Sequence, residues 1–156
     1  MRVFSIHGTS VSEPSAANLP QALGELRLPD QGYLWLACTR TEFEQMQAQI
    51  QAALERMCGL QLVDLHVADL LNQQLPSRYD YTSQYDLLVF RRLAAADSGT
   101  ETPDLKPSAP AKRSGTPILR RIDTSPIGFV VFDRVLLTVH PQDGATRDSY
   151  ALRLLA

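Results

Sequence analysis

The strongest constraint on the fold is a helix-like segment followed by a long apolar run, both within residues 62–93. In the first part, Val67, Leu70 and Leu71 have the i, i+3, i+4 spacing of one apolar helix face. Asp64 predicts the N-cap, because its carboxylate can accept hydrogen bonds from the free N–H groups of the first turn. Asn72 predicts the helix end, since asparagine tolerates the left-handed backbone common there. We therefore expect a short helix between these two residues.

The run from Tyr85 to Leu93 is mainly apolar and contains β-branched and aromatic residues. It is too short for a typical helix, so its composition predicts a buried strand. Pro76 and Ser77 predict the turn between the helix and this strand. Arg91 and Arg92 at the end of the run are expected on opposite strand faces, with an anion-binding role as an open alternative.

Other segments supply further elements of both kinds. Residues 2–6, 33–38, 118–122, 128–132 and 135–140 are predicted strands, 60–63 is a brief one, and 19–26, 41–57 and 150–156 are predicted helices. Asp133 and Arg134 predict the tight turn between the last two strands. This order of elements predicts an α/β fold in which helices cover a mixed sheet.

The longest predicted helix has recognisable signals at both ends. Thr41 and Glu44 have the Ser/Thr-x-x-Glu spacing of a capping box, and Gly59 is placed to stop the helix. One face of this helix is apolar, with Phe43, Met46, Ile50, Ala53, Leu54 and Met57. Trp35, in the second predicted strand, is expected to be a core residue.

Composition narrows the class of protein. The 156 residues suffice for one domain, residues 1–156. A net charge of −2 gives no electrostatic case for binding nucleic acid, which would call for a basic patch. Cys38 and Cys58 lack metal-type spacing and are expected to be buried free thiols.

No apolar stretch approaches the about 20 residues of a membrane span, so we expect a soluble polypeptide. Residues 94–117, rich in proline and polar residues, predict a disordered insertion.

Several motifs in order resemble the CorA family of divalent-metal transporters. Asp69-Leu70-Leu71-Asn72 is followed by Pro76-Ser77-Arg78, then by Tyr85 and an apolar strand that ends at Arg91. The resemblance extends upstream to residues 32–36 and downstream to residues 127–141. It covers the cytosolic N-terminal half of that family and implies an α/β/α sandwich with a mixed β-sheet.

The resemblance also implies a function. The family's matching aspartate, here Asp69, takes part in a metal site between subunits, whose other carboxylate lies on a later stalk helix. It implies a homopentamer gated by regulatory Mg²⁺, with this domain on the cytoplasmic face of the cell membrane. The membrane part, with its Gly-Met-Asn motif, is absent from this chain. Ala68 stands where the family commonly has glutamate. The transported divalent cation, Mg²⁺, Co²⁺, Ni²⁺ or Zn²⁺, stays open.

Three alternatives remain from the residues themselves. Asp64, His66 and Asp69 form a candidate transition-metal cluster, although zinc sites usually need more ligands than are nearby. His7 and His140 are a candidate pair at strand ends. The chain has no nucleophile elbow, Walker loop or dinucleotide-binding glycine pattern, so we expect it not to be an enzyme. A free-standing protein-interaction domain of the same fold is the alternative function.

Overall fold

The computed structural model describes residues 1–14, 19–93 and 124–156. The strands are β1 (Arg2–His7), β2 (Ser10–Ser12), β3 (Tyr33–Thr39), β4 (Arg78–Tyr81), β5 (Asp86–Leu93), β6 (Thr124–Val131) and β7 (Val135–His140). The helices are α1 (Leu19–Glu25), α2 (Arg40–Gln45), α3 (Gln47–Cys58), α4 (Asp64–Leu71) and α5 (Ala145–Leu155).

The strands form one seven-stranded sheet in the order β2-β1-β3-β7-β6-β5-β4. Only β3 and β7 run parallel, with Leu36 opposite Leu137, and the other described neighbours are antiparallel. The parallel pair lies inside the sheet and is apolar along most of its length, as expected for strands covered on both faces. The predicted mixed sheet is therefore confirmed.

Helices cover both faces of this sheet. On one face, the apolar residues of α1 to α4 form the larger core, in which Phe43, Ile50 and Leu54 are fully buried. On the other face, Ala151 of α5 packs with a smaller cluster of sheet residues that includes Trp35. The predicted α/β/α sandwich and the core position of Trp35 are both confirmed.

The predicted capping box lies two residues too far along the chain. The box is formed by Thr39 and Glu42: the Glu42 N–H donates to Thr39 Oγ1, and the Thr39 N–H donates to Glu42 Oε2. β3 extends to Thr39, whose extended backbone suits an N-cap, so the helix begins at once. Met46 then separates α2 from α3. The end at Gly59 is confirmed, with a left-handed φ of 77°.

The predicted N-cap of α4 is wrong, whereas the predicted end of the helix at Asn72 is confirmed. Val63 is the N-cap, and Asp64 is an exposed residue of the first turn, where a carboxylate favours the positive helix end without capping it. Asn72 has an extended backbone, with φ −80° and ψ 107°, instead of the left-handed one. Residues 60–63 are not a strand.

Two short strands were not predicted. β2 follows a glycine-containing turn after β1, and β4 begins at Arg78, where the sequence suggested only a turn.

The tight turn at Asp133 and Arg134 is confirmed, since the Phe132 N–H donates to the Val135 carbonyl across it. The last helix begins five residues earlier than predicted. The predictions for residues 94–117 and 118–122 lie outside the described residues.

Both cysteines are free thiols. Cys38 is buried and Cys58 half-buried, and burial raises the pKa of both, that of Cys38 to about 12. No helix in the described ranges is long and apolar enough to cross a membrane.

Candidate functional site

The predicted ligand Asp69 lies on α4, a helix held against the sheet by a close approach. Leu70, next to Asp69, packs over Gly128 of β6, where an added Cβ would lie 2.2 Å from Leu70 Cδ2. Val67 and Leu70 are buried in the larger core. Because apolar residues fix one face of α4, its polar residues His66 and Asp69 are held close to β4 and to Tyr85.

Asp69 is buried, with 8% of its surface exposed, and forms an ion pair with Arg78 of β4. Asp69 Oδ2 lies 3.1 Å from Arg78 Nη1. This oxygen has no hydrogen bond of good geometry within the described part of the chain. The attraction is therefore mainly coulombic. From sequence alone, the simpler expectation for Asp69 would have been a solvent-exposed carboxylate on the helix surface.

Arg78 also contacts a second carboxylate. Its Nη2 donates to Asp80 Oδ2 at 2.9 Å, so one guanidinium bridges Asp69 and Asp80. Residues two apart on a strand share a face, which places both side chains on the same side of β4. With two carboxylates and one guanidinium, the group carries a net negative charge.

His66 extends the group into the core. Its Nδ1 lies 2.8 Å from the Tyr85 hydroxyl, and its Nε2 lies 3.3 Å from Asp80 Oδ2. The Tyr85 oxygen already accepts the Val63 N–H at 3.2 Å, so its O–H is available to donate to His66 Nδ1. The neutral tautomer of His66 that fits both contacts has its proton on Nε2 and donates to Asp80. We call Asp69, Arg78, Asp80, His66 and Tyr85 the Arg78 network.

Asp80 is held in its ionised form by this arrangement. The hydrogen bond from His66 lowers the pKa of Asp80, and the Tyr81 N–H, which donates to Asp80 Oδ1 at 2.9 Å, lowers it further. A charged Asp80 competes with Asp69 for Arg78. The guanidinium supplies the positive charge between the two carboxylates.

The alternative metal groupings do not assemble. Asp64 is exposed while His66 is turned toward Tyr85 and Asp80. Within the described ranges, no three His, Cys, Asp or Glu residues are arranged to hold a metal ion. His7 and His140 end antiparallel strands and lie at opposite ends of the sheet, as the pairing through β3 requires.

Sequence reasoning missed Arg78 and Asp80 as partners of Asp69. The available signal was the spacing Arg78-x-Asp80, which places opposite charges on one face once residues 78–81 are recognised as a strand. The proline and serine before Arg78 indicated a turn and hid that strand. Tyr85 was recognised as part of the motif, but its hydrogen bond to His66 joins residues 19 apart.

A second buried polar group lies on the other face. Trp35 Nε1 donates to Thr138 Oγ1 at 2.8 Å, and this hydroxyl lies 2.9 Å from His140 Nε2. Burial lowers the pKa of His140 to about 4, assisted by the charges of Arg147 and Arg92. The three residues line a largely apolar cavity of about 220 Å³ beside α5.

Comparison with known proteins gives similarity in structure alone. No protein-family model matches the chain, and no curated protein matches it significantly. The ZntB cytoplasmic domain from Vibrio parahaemolyticus is 12% identical, with a TM-score of 0.54 over 98% of this chain and 49% of that chain. The full-length CmaX protein is 16% identical, with a TM-score of 0.59 over 99% of this chain and 38% of that chain.

The CorA magnesium transporter from Methanocaldococcus jannaschii is 12% identical, with a TM-score of 0.51 over 98% of this chain and 37% of that chain. The resemblance to the CorA family is thus confirmed at the level of the fold. The chain spans about half the length of the ZntB domain and less than half of the other two chains.

Proposed function

We propose that this chain is the cytosolic metal-sensing and gating domain of a CorA-like transporter of Mg²⁺ or of a related divalent cation. The observation that carries the proposal is the position of Asp69 in this fold. A buried carboxylate at the edge of α4 is balanced by one guanidinium, and its Oδ2 has no well-aligned hydrogen bond in the described chain. Such an oxygen is a suitable ligand for a hard cation.

The residues fit one half of a regulatory Mg²⁺ site. Mg²⁺ usually keeps several waters and binds one or two carboxylates, so Asp69 would supply one oxygen and a neighbouring subunit another. Arg78 holds Asp69 in place when no cation is bound, because opposite charges offset each other across 3.1 Å. Cation binding between subunits would favour the closed assembly, and loss of the cation would loosen it.

The assembly belongs to the same proposal. A homopentamer in which this domain lies on the cytoplasmic face of the cell membrane is what the resemblance implies. The domain itself would bind the cation and carry out no chemical reaction. Which ion passes through the pore would be decided by the membrane part that the resemblance implies.

The test is a comparison of two aspartates on one helix. Asp69→Asn removes the proposed ligand, and Asp64→Asn is the matched control, because Asp64 is exposed on the same helix. Association of the chain is measured by sedimentation from 0 to tens of millimolar Mg²⁺, with Na⁺ at equal ionic strength. We expect Mg²⁺ to promote association of the original chain and of Asp64→Asn, and Asp69→Asn to lose this response.

Equal responses of the two variants would remove Asp69 from the mechanism. Arg78→Lys provides an additional check, because it keeps the positive charge but loses the planar guanidinium that bridges two carboxylates. A weaker bridge should allow the Mg²⁺ response at lower concentration.

A specific observation favours one second function, that of a protein-interaction domain. The aromatic side chains of Tyr79, Tyr81 and Phe90 are 60%, 71% and 63% exposed, on one face of β4 and β5. An exposed apolar patch of this kind often marks an interface. Replacing Phe90 with serine should abolish association that does not depend on Mg²⁺, if that function is the correct one.

A further inference from the structure

Two guanidinium groups lie at the end of the sheet where β3 and β5 finish. Arg40, the first residue of α2, is only 9% exposed. Its Nη2 donates to the Pro126 carbonyl at 2.9 Å, while its Nε is buried without a hydrogen-bond partner. A guanidinium has five N–H donors. Within the described chain, Arg40 therefore satisfies only a small part of its hydrogen-bonding capacity.

Arg91 is held close to the same segment of β6. Its Nε donates to Thr124 Oγ1 at 2.9 Å, and its Nη2 donates to the Thr124 carbonyl at 2.7 Å. Its Nη1 donates to the carbonyls of Leu75 at 2.8 Å and Gln73 at 3.2 Å. All of these acceptors are neutral. They fix the side chain in place, and no carboxylate of the described residues pairs with its charge.

The two charges are near enough to affect each other. Arg91 lies opposite Pro126 in the β5–β6 register, and Arg40 donates to Pro126. Burial lowers the pKa of Arg40, and the charge of Arg91 lowers it further. Neither guanidinium takes part in an ion pair with a described carboxylate, whereas the adjacent Arg92 pairs with Asp143 at 2.6 Å.

We propose that Arg40 and Arg91 form a binding site for a compact oxyanion of the phosphate class. Burial of a guanidinium is unfavourable unless a negative group compensates the charge. All three nitrogens of Arg91 already donate hydrogen bonds, so an oxyanion would take its hydrogen bonds chiefly from Arg40, whose planar guanidinium suits phosphate oxygens, and would reduce the repulsion from Arg91. The nearly complete burial of Arg40 favours a small group over an extended one. The site is separate from the one proposed at Asp69.

The test is calorimetric titration of the chain with inorganic phosphate, at constant ionic strength set with chloride because salt screens charge. Titration with AMP and with adenosine separates a free phosphate ligand from a nucleotide phosphate. We expect Arg40→Gln to lower phosphate affinity at least about tenfold, the effect of losing one charged hydrogen bond. Arg153→Gln is the matched control, since Arg153 is an exposed arginine of α5 and should have no effect.

Three further variants distinguish loss of the phosphate site from loss of the fold or of charge alone. Arg91 holds two connecting segments in place, so Arg91→Gln is informative only if the circular dichroism spectrum is unchanged. Arg40→Lys keeps the charge without the paired donors and should also bind phosphate more weakly than the original chain. Asp123→Asn, which removes the acid preceding Thr124 in the sequence, should leave phosphate affinity unchanged.

Three results would overturn the proposal. Phosphate affinity that is equal in the original chain and in Arg40→Gln would exclude Arg40 from a site. An equal loss in Arg153→Gln would mean that binding reflects overall charge alone. An increase in Asp123→Asn would mean that the chain supplies its own anion. A lost Mg²⁺ response in the Asp69 experiment would leave the phosphate result unaffected, so the two proposals can fail separately.

Discussion

Two regions of this molecule restrain an arginine side chain in opposite ways. In the Arg78 network, the guanidinium lies between two carboxylates, 3.1 Å from Asp69 and 2.9 Å from Asp80. At the other site, Arg40 and Arg91 are restrained by neutral oxygens alone among the described residues. The first region has a net negative charge, and its arginine is paired with carboxylates of the same chain. The second region is basic, and its arginines have no carboxylate partner among the described residues.

The difference indicates which kind of ligand each region can accept. A cation that binds at Asp69 must displace or weaken Arg78, so binding there competes with an interaction already present in the fold. An anion that binds at Arg40 meets no such competitor among the described residues and relieves the repulsion from Arg91 instead. The charges of the described residues thus distinguish the proposed cation site, where a ligand would compete with Arg78, from the proposed anion site, where no described carboxylate would compete.

The largest expected effect comes from removing Arg78, which would compete with a cation for Asp69. Arg78→Gln leaves Asp69 buried without a counter-charge, and we expect the free energy of unfolding to fall by about 3 kcal/mol. The measurement is urea denaturation followed by circular dichroism. Addition of Mg²⁺ should restore part of the loss, because the cation can then take the place of the guanidinium.

Arg27→Gln serves as the control for Arg78→Gln, since Arg27 is exposed and forms no ion pair in the described chain. Unchanged stability of Arg78→Gln would show that Asp69 reaches water when Arg78 is absent. The contrast between the Arg78 network, with its paired charges, and the Arg40–Arg91 pair would then be incorrect. A loss that Mg²⁺ does not restore would preserve the contrast but count against a cation site.

The second largest expected effect is a loss of stability at acidic pH, caused by His140 near Arg40. His140 pairs with Thr39 in the register, one residue before Arg40, and its surroundings include Arg147, Arg92, Asp148 and Asp143. Its pKa is lowered from 6.5 to about 4, chiefly by burial. Between these values the unfolded chain binds the proton and the folded chain does not, so stability falls as the pH falls from about 6.5 to about 4.

We expect this loss to reach about 2 kcal/mol across the window, measured by urea denaturation at several pH values from 7 to 4.5. His140→Gln should flatten the profile there, whereas His7→Gln, which changes an exposed histidine, should not. Asp143 and Asp148 have lowered pKa values, so their contributions are lost at lower pH and do not obscure the window. An identical profile in His140→Gln would assign the pH dependence to other groups.

Residue composition and spacing within single segments predicted much of the fold. Where such a prediction was wrong, a contact with a distant part of the chain decides the structure. The apolar run of β5, the strand β7 and the left-handed Gly59 were all recognisable from composition and spacing. The capping box was misplaced because Thr39 and Thr41 both have an acid three residues later, and the choice depends on where β3 ends. That end is fixed by pairing with β7, a contact between residues about 100 positions apart.

The candidate site was predicted only in part for a similar reason. Asp69 was identified through a family resemblance, but its burial and its pairing with Arg78 depend on how α4 lies on Gly128. The arginine pair depends on Thr124 and Pro126 of a strand that is distant in sequence. Ion pairs and unbalanced charges are properties of three-dimensional proximity, and sequence spacing shows them only within a single helix or strand.

The smallest expected effect is an increase in stability. In buffer without oxyanions, Arg40→Met removes a buried charge and the repulsion from Arg91 while it keeps an apolar side chain of similar length. Replacing a buried charge with an apolar residue is often neutral or stabilising, and we expect a gain of about 1 kcal/mol in the free energy of unfolding. Phosphate should reverse the order by stabilising the original chain and not the variant. If Arg40→Met were clearly destabilising without phosphate, the bond to Pro126 would outweigh the burial of charge, and the two regions would differ less than their charges suggest.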